Sequence, residues 1–196
     1  LPPSGLSFKD IALGYEQNCG ITSGGTIECW GADPSSPQDA PPGIFEQIEV
    51  GQSRFCAIDV NGALHCWGEF EGEPISLPEM QSRTEPPGGR YKAVSVGPYS
   101  ACAITEGSDL VCWGHGGLST EKNPPTGKFL SVSVSRNYAC AIDTDSVTHC
   151  WTGHWEATPH QVVPNLQSVN VFRSGVATEE AFGVPSLSRK ACGIRG

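Results

Sequence analysis

Short apolar strings broken by polar turns run along the whole chain, and within each string the apolar positions recur at period two, the pattern of half-buried strands. Between Cys56 and Cys66 one apolar stretch runs into Asn61-Gly62 and a second runs out of it, which is a hairpin signal. The two cysteines lie ten residues apart, so the midpoint falls on Asn61. A three-residue loop of Val60, Asn61 and Gly62 then sets Cys56 opposite Cys66 and Ile58 opposite Leu64. Gly62 fills the left-handed position such a loop needs. Opposed residues on antiparallel strands have Cβ atoms roughly 4.5 to 5.5 Å apart, within a small adjustment of a disulfide.

The same phrase is written four times. Cys19 with Cys29, Cys56 with Cys66, Cys102 with Cys112 and Cys140 with Cys150 share the spacing, and each second cysteine is followed by a tryptophan. The other loops are Ser23-Gly24-Gly25, Glu106-Gly107-Ser108 and Thr144-Asp145-Ser146, and in the first hairpin Ile21 faces Ile27. Each hairpin therefore carries one apolar, core-facing stripe.

The surroundings of the hairpin recur too. Phe8, Phe45, Tyr91 and Phe129 each open a short strand eleven residues before the first cysteine, with aliphatic residues such as Ile48 and Val50 at the third and fifth places after it. These strands end at Gly14, Gly51, Gly97 and Ser135. Polar linkers close on proline turns at Pro41-Pro42-Gly43, Pro86-Pro87-Gly88, Pro124-Pro125 and Pro164-Asn165. The periods between opening residues are 37, 46, 38 and 37, with Leu166 opening a fifth unit. That pattern predicts an all-β fold of propeller-type blades in one repeat domain, 1–196. Its units are 8–44, 45–90, 91–128 and 129–165, then a partial, irregular fifth over 166–196. No helical periodicity competes.

Composition narrows the class. With 24 Gly, 16 Pro and 38% hydrophobic residues the 196-residue chain is a loop-rich globular protein. No apolar run approaches the roughly 20 residues of a membrane span, so membrane insertion is not expected. Nine cysteines, eight of them registered across hairpins, point to an oxidising compartment, secreted or at the extracellular surface. The chain opens on Leu1 with no signal pattern, and the expectation is a removed leader or a piece of a longer protein. There is no Asn-x-Ser/Thr glycosylation site. Zinc is the rival to disulfides, because His65 and His149 each precede a cysteine; one pair per blade, without Cys-x-x-Cys knuckles, favours disulfides.

The recurring Phe-x-x-Ile-x-x-Gly, Cys-Ala-Ile and Gly-x-Leu-x-Cys-Trp-Gly phrases resemble the repeat of the regulator of chromosome condensation superfamily. The likeness is to its cysteine-paired variants, among bacterial secreted proteins and the ectodomains of crinkly-type plant receptor kinases, and spans residues 1 to about 172. The resemblance implies a propeller, usually seven-bladed, that binds proteins through loops on its faces. Four complete units do not close such a ring, so association, as a homo-oligomer or within a longer chain, is expected. The fifth unit departs further: Leu166 to Cys192 is 26 residues where eleven is the rule. The extra segment, over 173–191, includes GVATEEAFGVP (175–185), similar to a short GIASAEAFG element of some bacterial and phage surface proteins. Cys192 is left unpaired.

A search for chemistry returns no nucleophile elbow, phosphate loop or His-Glu-x-x-His, so neither an enzyme nor a cofactor is expected. Asp143-Thr144-Asp145-Ser146 opens like a calcium loop but lacks its central glycine and closing glutamate, and no metal is expected. Trp30, Trp67, Trp113 and Trp151, at one fixed place per unit, read as packing between blades. A net charge of −9 without a basic stripe disfavours nucleic acid. The corners just before the first cysteines vary within a constant frame, and Tyr15, Arg54, Phe55, Tyr99, Arg136 and Tyr138 there, with Trp155, are the candidate partner contacts. The equal alternative is that each aromatic half-covers its own blade. The linker from Glu69 to Arg90, with Phe70, is a second candidate surface. A protein-binding module is the leading expectation, and a structural subunit of an extracellular assembly the alternative.

Overall fold

In a computed structural model the described residues are 2–14, 17–31, 40–51, 54–68, 86–114, 124–136, 138–152, 161–164, 166–171 and 191–195, with backbone alone described from Thr152 onward. They form antiparallel sheets, one per unit, and no helix. The first holds β1 (Phe8–Leu13), β2 (Gln17–Thr22) and β3 (Ile27–Gly31). The second holds β4 (Phe45–Gly51), β5 (Arg54–Asp59) and β6 (Leu64–Gly68), and the third β7 (Tyr91–Val96), β8 (Ser100–Thr105) and β9 (Leu110–Gly114). β10 (Phe129–Val134), β11 (Tyr138–Asp143) and β12 (Val147–Thr152) gain a fourth strand, β13 (Gln161–Pro164). In the fifth unit β14 (Leu166–Val171) pairs with β15 (Ala191–Arg195).

The hairpins have the register their spacing predicts. Cys56 faces Cys66 and Ile58 faces Leu64, as Cys19 faces Cys29 and Ile21 faces Ile27. All four cysteine pairs are bonded, with Cα atoms 4.0 to 4.1 Å apart. Each loop turns through a third residue of positive φ: Gly25 at 91°, Gly62 at 80°, Ser108 at 69° and Ser146 at 63°. The carbonyl of that residue is not idle. Gly25 accepts from Phe45 N at 2.9 Å, Gly62 from Tyr91 N at 2.8 Å and Ser108 from Phe129 N at 2.8 Å. The tips of the first three hairpins thus fix where the next blade begins.

The first strand of every unit carries a register shift between its opening residue and the second residue after it, as between Phe45 and Gln47. An unbroken strand would put Phe45 and Ile48 on opposite faces; one irregularity brings both to the same side. That side packs on the cysteine face of the preceding blade. One cluster joins Cys19, Ile21, Ile27 and Cys29 to Phe45, Ile48, Val50, Phe55, Ala57 and Trp67. The second joins Cys56, Ile58, Leu64 and Cys66 to Tyr91, Val94, Val96, Ala101, Ala103 and Trp113. The third repeats the arrangement from Cys102, Ile104, Leu110 and Cys112 to Phe129, Val134, Ala141 and Trp151. Each of these three interfaces therefore sets the disulfide face of one blade against the alanine and tryptophan face of the next, and Trp67, Trp113 and Trp151 are interblade core, whereas Trp30 packs on Phe8 of its own blade.

Polar side chains stitch the same seams near the first strands. Asp10 Oδ2 accepts from Ile48 N at 3.1 Å. Gln47 exchanges two bonds with the backbone of Val94, at 3.1 and 3.3 Å, and Val134 N donates to Ser95 Oγ at 3.0 Å. At the strand ends the blades approach so closely that a side chain has no room. A Cβ on Gly51 would lie 2.2 Å from the carbonyl oxygen of Gly97, and one on Gly97 2.8 Å from that of Ser135.

Two substitutions test this geometry in opposite directions. Gly51→Ala has to push backbone apart and is expected to lower unfolding free energy by about 2–3 kcal/mol in denaturant titration. Ser146→Gly relieves a left-handed serine at some cost in unfolded-chain entropy, and is expected to raise it by about 0.5–1 kcal/mol.

Candidate protein-binding face at the blade corners

The corners between first and second strands are two-residue turns. Gly97 N donates to Ser100 O and Ser135 N to Tyr138 O, both at 2.8 Å, and Gly14 N donates to Gln17 O at 3.0 Å. Tyr99 and Arg136 occupy the turn itself. Arg54 is already in β5, paired with Gly51, and Phe55 follows it. Both are turned inward: Arg54 is 6% exposed, with Nη1 donating to Gly68 O at 2.8 Å, and Phe55 is 1% exposed, stacked on Trp67 at 5.5 Å. The expectation of a partner contact at these two residues is corrected accordingly. A two-residue turn returns to the strand too early to leave them on the surface, and Phe55 covers its own blade. Tyr138 opens β11 and is half-buried. Tyr15, Trp155, Phe70 and most of the Glu69–Arg90 linker lie outside the described residues, as does the 173–191 segment apart from Ala191.

Tyr99 and Arg136 come from adjacent blades and meet. The guanidinium carbon of Arg136 stands 4.6 Å from the centre of the Tyr99 ring, and its Nη2 donates to the Tyr99 hydroxyl. Both are half-buried. A stacked arginine is held in one plane. The corner thus holds an aromatic and a cationic side chain in a fixed arrangement.

Two further arrangements of polar groups were not foreseen as pairings in the sequence. Asp59 Oδ1 accepts from Asn61 N and Ala63 N, and its Oδ2 meets His65 Nε2 at 3.1 Å. Asp143 repeats this with Asp145 N, Val147 N and His149 Nε2, the last at 2.7 Å. The histidines in turn stand edge-on to Phe45 and Phe129. The signal was present: the two units with Asp three residues after the first cysteine are those with His before the second. At Asp59 burial opposes ionisation, but the bonds from His65 and the two amides outweigh it; at Asp143 the His149 bond leads. Both carboxyls titrate below the ordinary 3.8. Their stabilisation is present above that value and lost as pH falls through the lowered one. Among the described residues no group of three or more His, Cys, Asp or Glu is gathered for a metal.

The second set lies at the seam of the first two blades. Burial, and then the Asp10 carboxylate, push Glu49 up to about 7, against a hydrogen bond from Gln47. A cleft of about 200 Å³ between the second and third blades is lined by Glu46, Asp59, Arg90, Lys92 and Glu106. Its cations are already engaged, Arg90 with Glu106 at 2.9 Å and Lys92 with Ser108 Oγ at 2.6 Å.

No family model matches the chain, and no curated protein matches it. Solved structures do. The crinkly WD40 ectodomain of the Arabidopsis thaliana receptor kinase ACR4 aligns at TM-score 0.56 and 24% identity, over 77% of this chain and 52% of that one. The entire ectodomain of the Physcomitrella patens receptor kinase CR4 aligns at 0.66 and 20%, over 87% and 47%. Yeast RCC1 (Prp20), solved bound to Kap60, aligns at 0.59 and 13%, over 78% and 45%. The chain spans about half the length of these structures. At such identities the likeness is one of fold: blades of the type found in RCC1 and crinkly propellers.

Glu49 has a raised carboxyl, so its contribution is full below the ordinary value of 4.5 and is lost as pH rises through about 7. Unfolding free energy is expected to fall by roughly 2–3 kcal/mol between pH 5 and 8 on this account. Glu49→Gln should flatten that slope in urea titrations at each pH.

Proposed function

We propose that the protein is a non-enzymatic, secreted or surface-displayed module that binds another protein through the corner loops of its disulfide-stabilised blades. The observation that carries this reading is the Tyr99–Arg136 pair with Tyr138 beside it, an arginine and two tyrosines fixed at one corner of the third and fourth blades. Such residues dominate binding energy where they stand on a rigid support. Four disulfides support an oxidising compartment. The two receptor-kinase structures are ectodomains, and the yeast protein was solved on a protein partner, which agrees with a protein-binding use of this fold.

The test is a comparison of two variants against one partner recovered from the source organism's extracellular proteins. Tyr99→Ala with Arg136→Ala and Tyr138→Ala should weaken binding at least about a hundredfold. Glu106→Gln with Asp109→Asn, at the opposite end, should leave it within about twofold. Equal binding by both variants overturns the reading.

One observation favours the second reading, a subunit joined through blade ends. Ile11 is 50% and Leu13 72% exposed, whereas of their counterparts Ile48, Val94, Val96 and Val134 are 2 to 6% exposed beneath the preceding blade and Val50 and Val132 are half-buried there. Phe8 covers part of the same face, tilted on Trp30 at 5.3 Å, its ring occupying the space of a Cβ on Gly20 where later blades have alanine. Light scattering without reductant separates the readings: a monomer is expected of the module, and assembly abolished by Leu13→Asp of the subunit.

A further inference from the structure

The second, third and fourth blades seat on their predecessors in the same way. Phe45, Tyr91 and Phe129, the residues that open them, are 0 to 3% exposed and cluster with the cysteines of the blade before. Each ring is the anchor that its blade sets against a disulfide face. Phe45 and Phe129 are also held edge-on by His65 and His149, where the first blade has Glu28. Phe8 opens the first blade at the same place in the repeat, but its ring is tilted on Trp30 of its own sheet at 5.3 Å. A Cβ on Gly20 would lie 2.6 Å from that ring, so the seat exists only because Gly20 has no side chain. Ala57, Ala103 and Ala141 fill this position in the next three blades and leave no such room.

We infer that Phe8 is a retractable anchor: drawn in over Gly20 it withholds the contact by which one blade seats on another, and swung out it completes an apolar strip that joins the first blade to that of a second copy. This goes beyond the corner-loop reading and names what holds joining through the blade end in check. The strip is already part-built. Ile11 and Leu13 stand exposed, although the positions they hold are interblade core in the later blades. Two copies of one apolar strip are self-complementary about a two-fold axis, which makes a second copy the occupant. Gly20 decides between the two positions of the ring. A methyl group there overfills the seat of the retracted ring and leaves the swung-out ring untouched.

The test is light scattering of the disulfide-intact protein without reductant, beside NOE spectra of the Phe8 ring. The wild type is expected to be a monomer, with NOEs from that ring to Gly20 Hα and to the Trp30 indole. Gly20→Ala, which repeats the residue of the later blades, should lose those NOEs and associate as a dimer at least about tenfold more tightly than the wild type. Gly20→Ala with Phe8→Ala lacks the anchor and should return to monomer. Missing NOEs or assembly in the wild type overturns the inference. So does a Gly20→Ala protein that stays monomeric, keeps the NOEs or fails to form its four disulfides, because the ring is then no movable anchor. A dimer that survives Phe8→Ala overturns it as well. Of these outcomes only wild-type assembly bears on the proposed function, where it favours the subunit joined through blade ends; the others leave the corner-loop reading to the partner comparison above.

Discussion

The fold depends on one contact made three times, the disulfide face of a blade laid against the alanine and tryptophan face of its successor. A bonded cysteine pair is compact and apolar, so it leaves a shallow surface on which a phenylalanine or tyrosine and two aliphatic residues can lie. A pair one residue out of register would turn the cysteines to the other side of the hairpin and expose that surface. The three-residue turn is what prevents the slip, and its left-handed third residue also receives the first amide of the next blade. Turn, disulfide and blade placement are therefore one constraint. In a chain-entropy estimate each ten-residue loop closed this way contributes about 2–3 kcal/mol, comparable with the whole margin of many domains when taken four times.

Much of this could be read from spacing alone. Cysteines ten apart across Asn61-Gly62, and tryptophans in a fixed place, lead to the register, the bonded pairs and the interblade core. The first strands were harder. Phe45 and Ile48 are an odd number of residues apart yet share a face, which requires an irregularity that period-two reasoning does not supply. The interblade bonds of Asp10, Gln47 and Ser95 were illegible for a different reason: no local rule links a side chain to backbone 38, 39 or 47 residues away.

The corner residues show where a site can be misjudged. Four consecutive positions precede each first cysteine, and all look like loop in a sequence that varies there. The turn takes only two of them, so Tyr99 and Arg136 reach the surface while Arg54 and Phe55 enter the strand and the core. Side-chain type misled, because an arginine is seldom so buried without a partner such as the Gly68 carbonyl. What remains at the corner is a smaller and more rigid group than the sequence suggested.

The account stands or falls on the pairing of the cysteines. Proteolytic peptide mapping by mass spectrometry, on protein alkylated under denaturing conditions without reductant, reads that pairing directly. The expected result is Cys19–Cys29, Cys56–Cys66, Cys102–Cys112 and Cys140–Cys150 linked within their own hairpins. Free thiols at those positions, or bonds between hairpins, would contradict it.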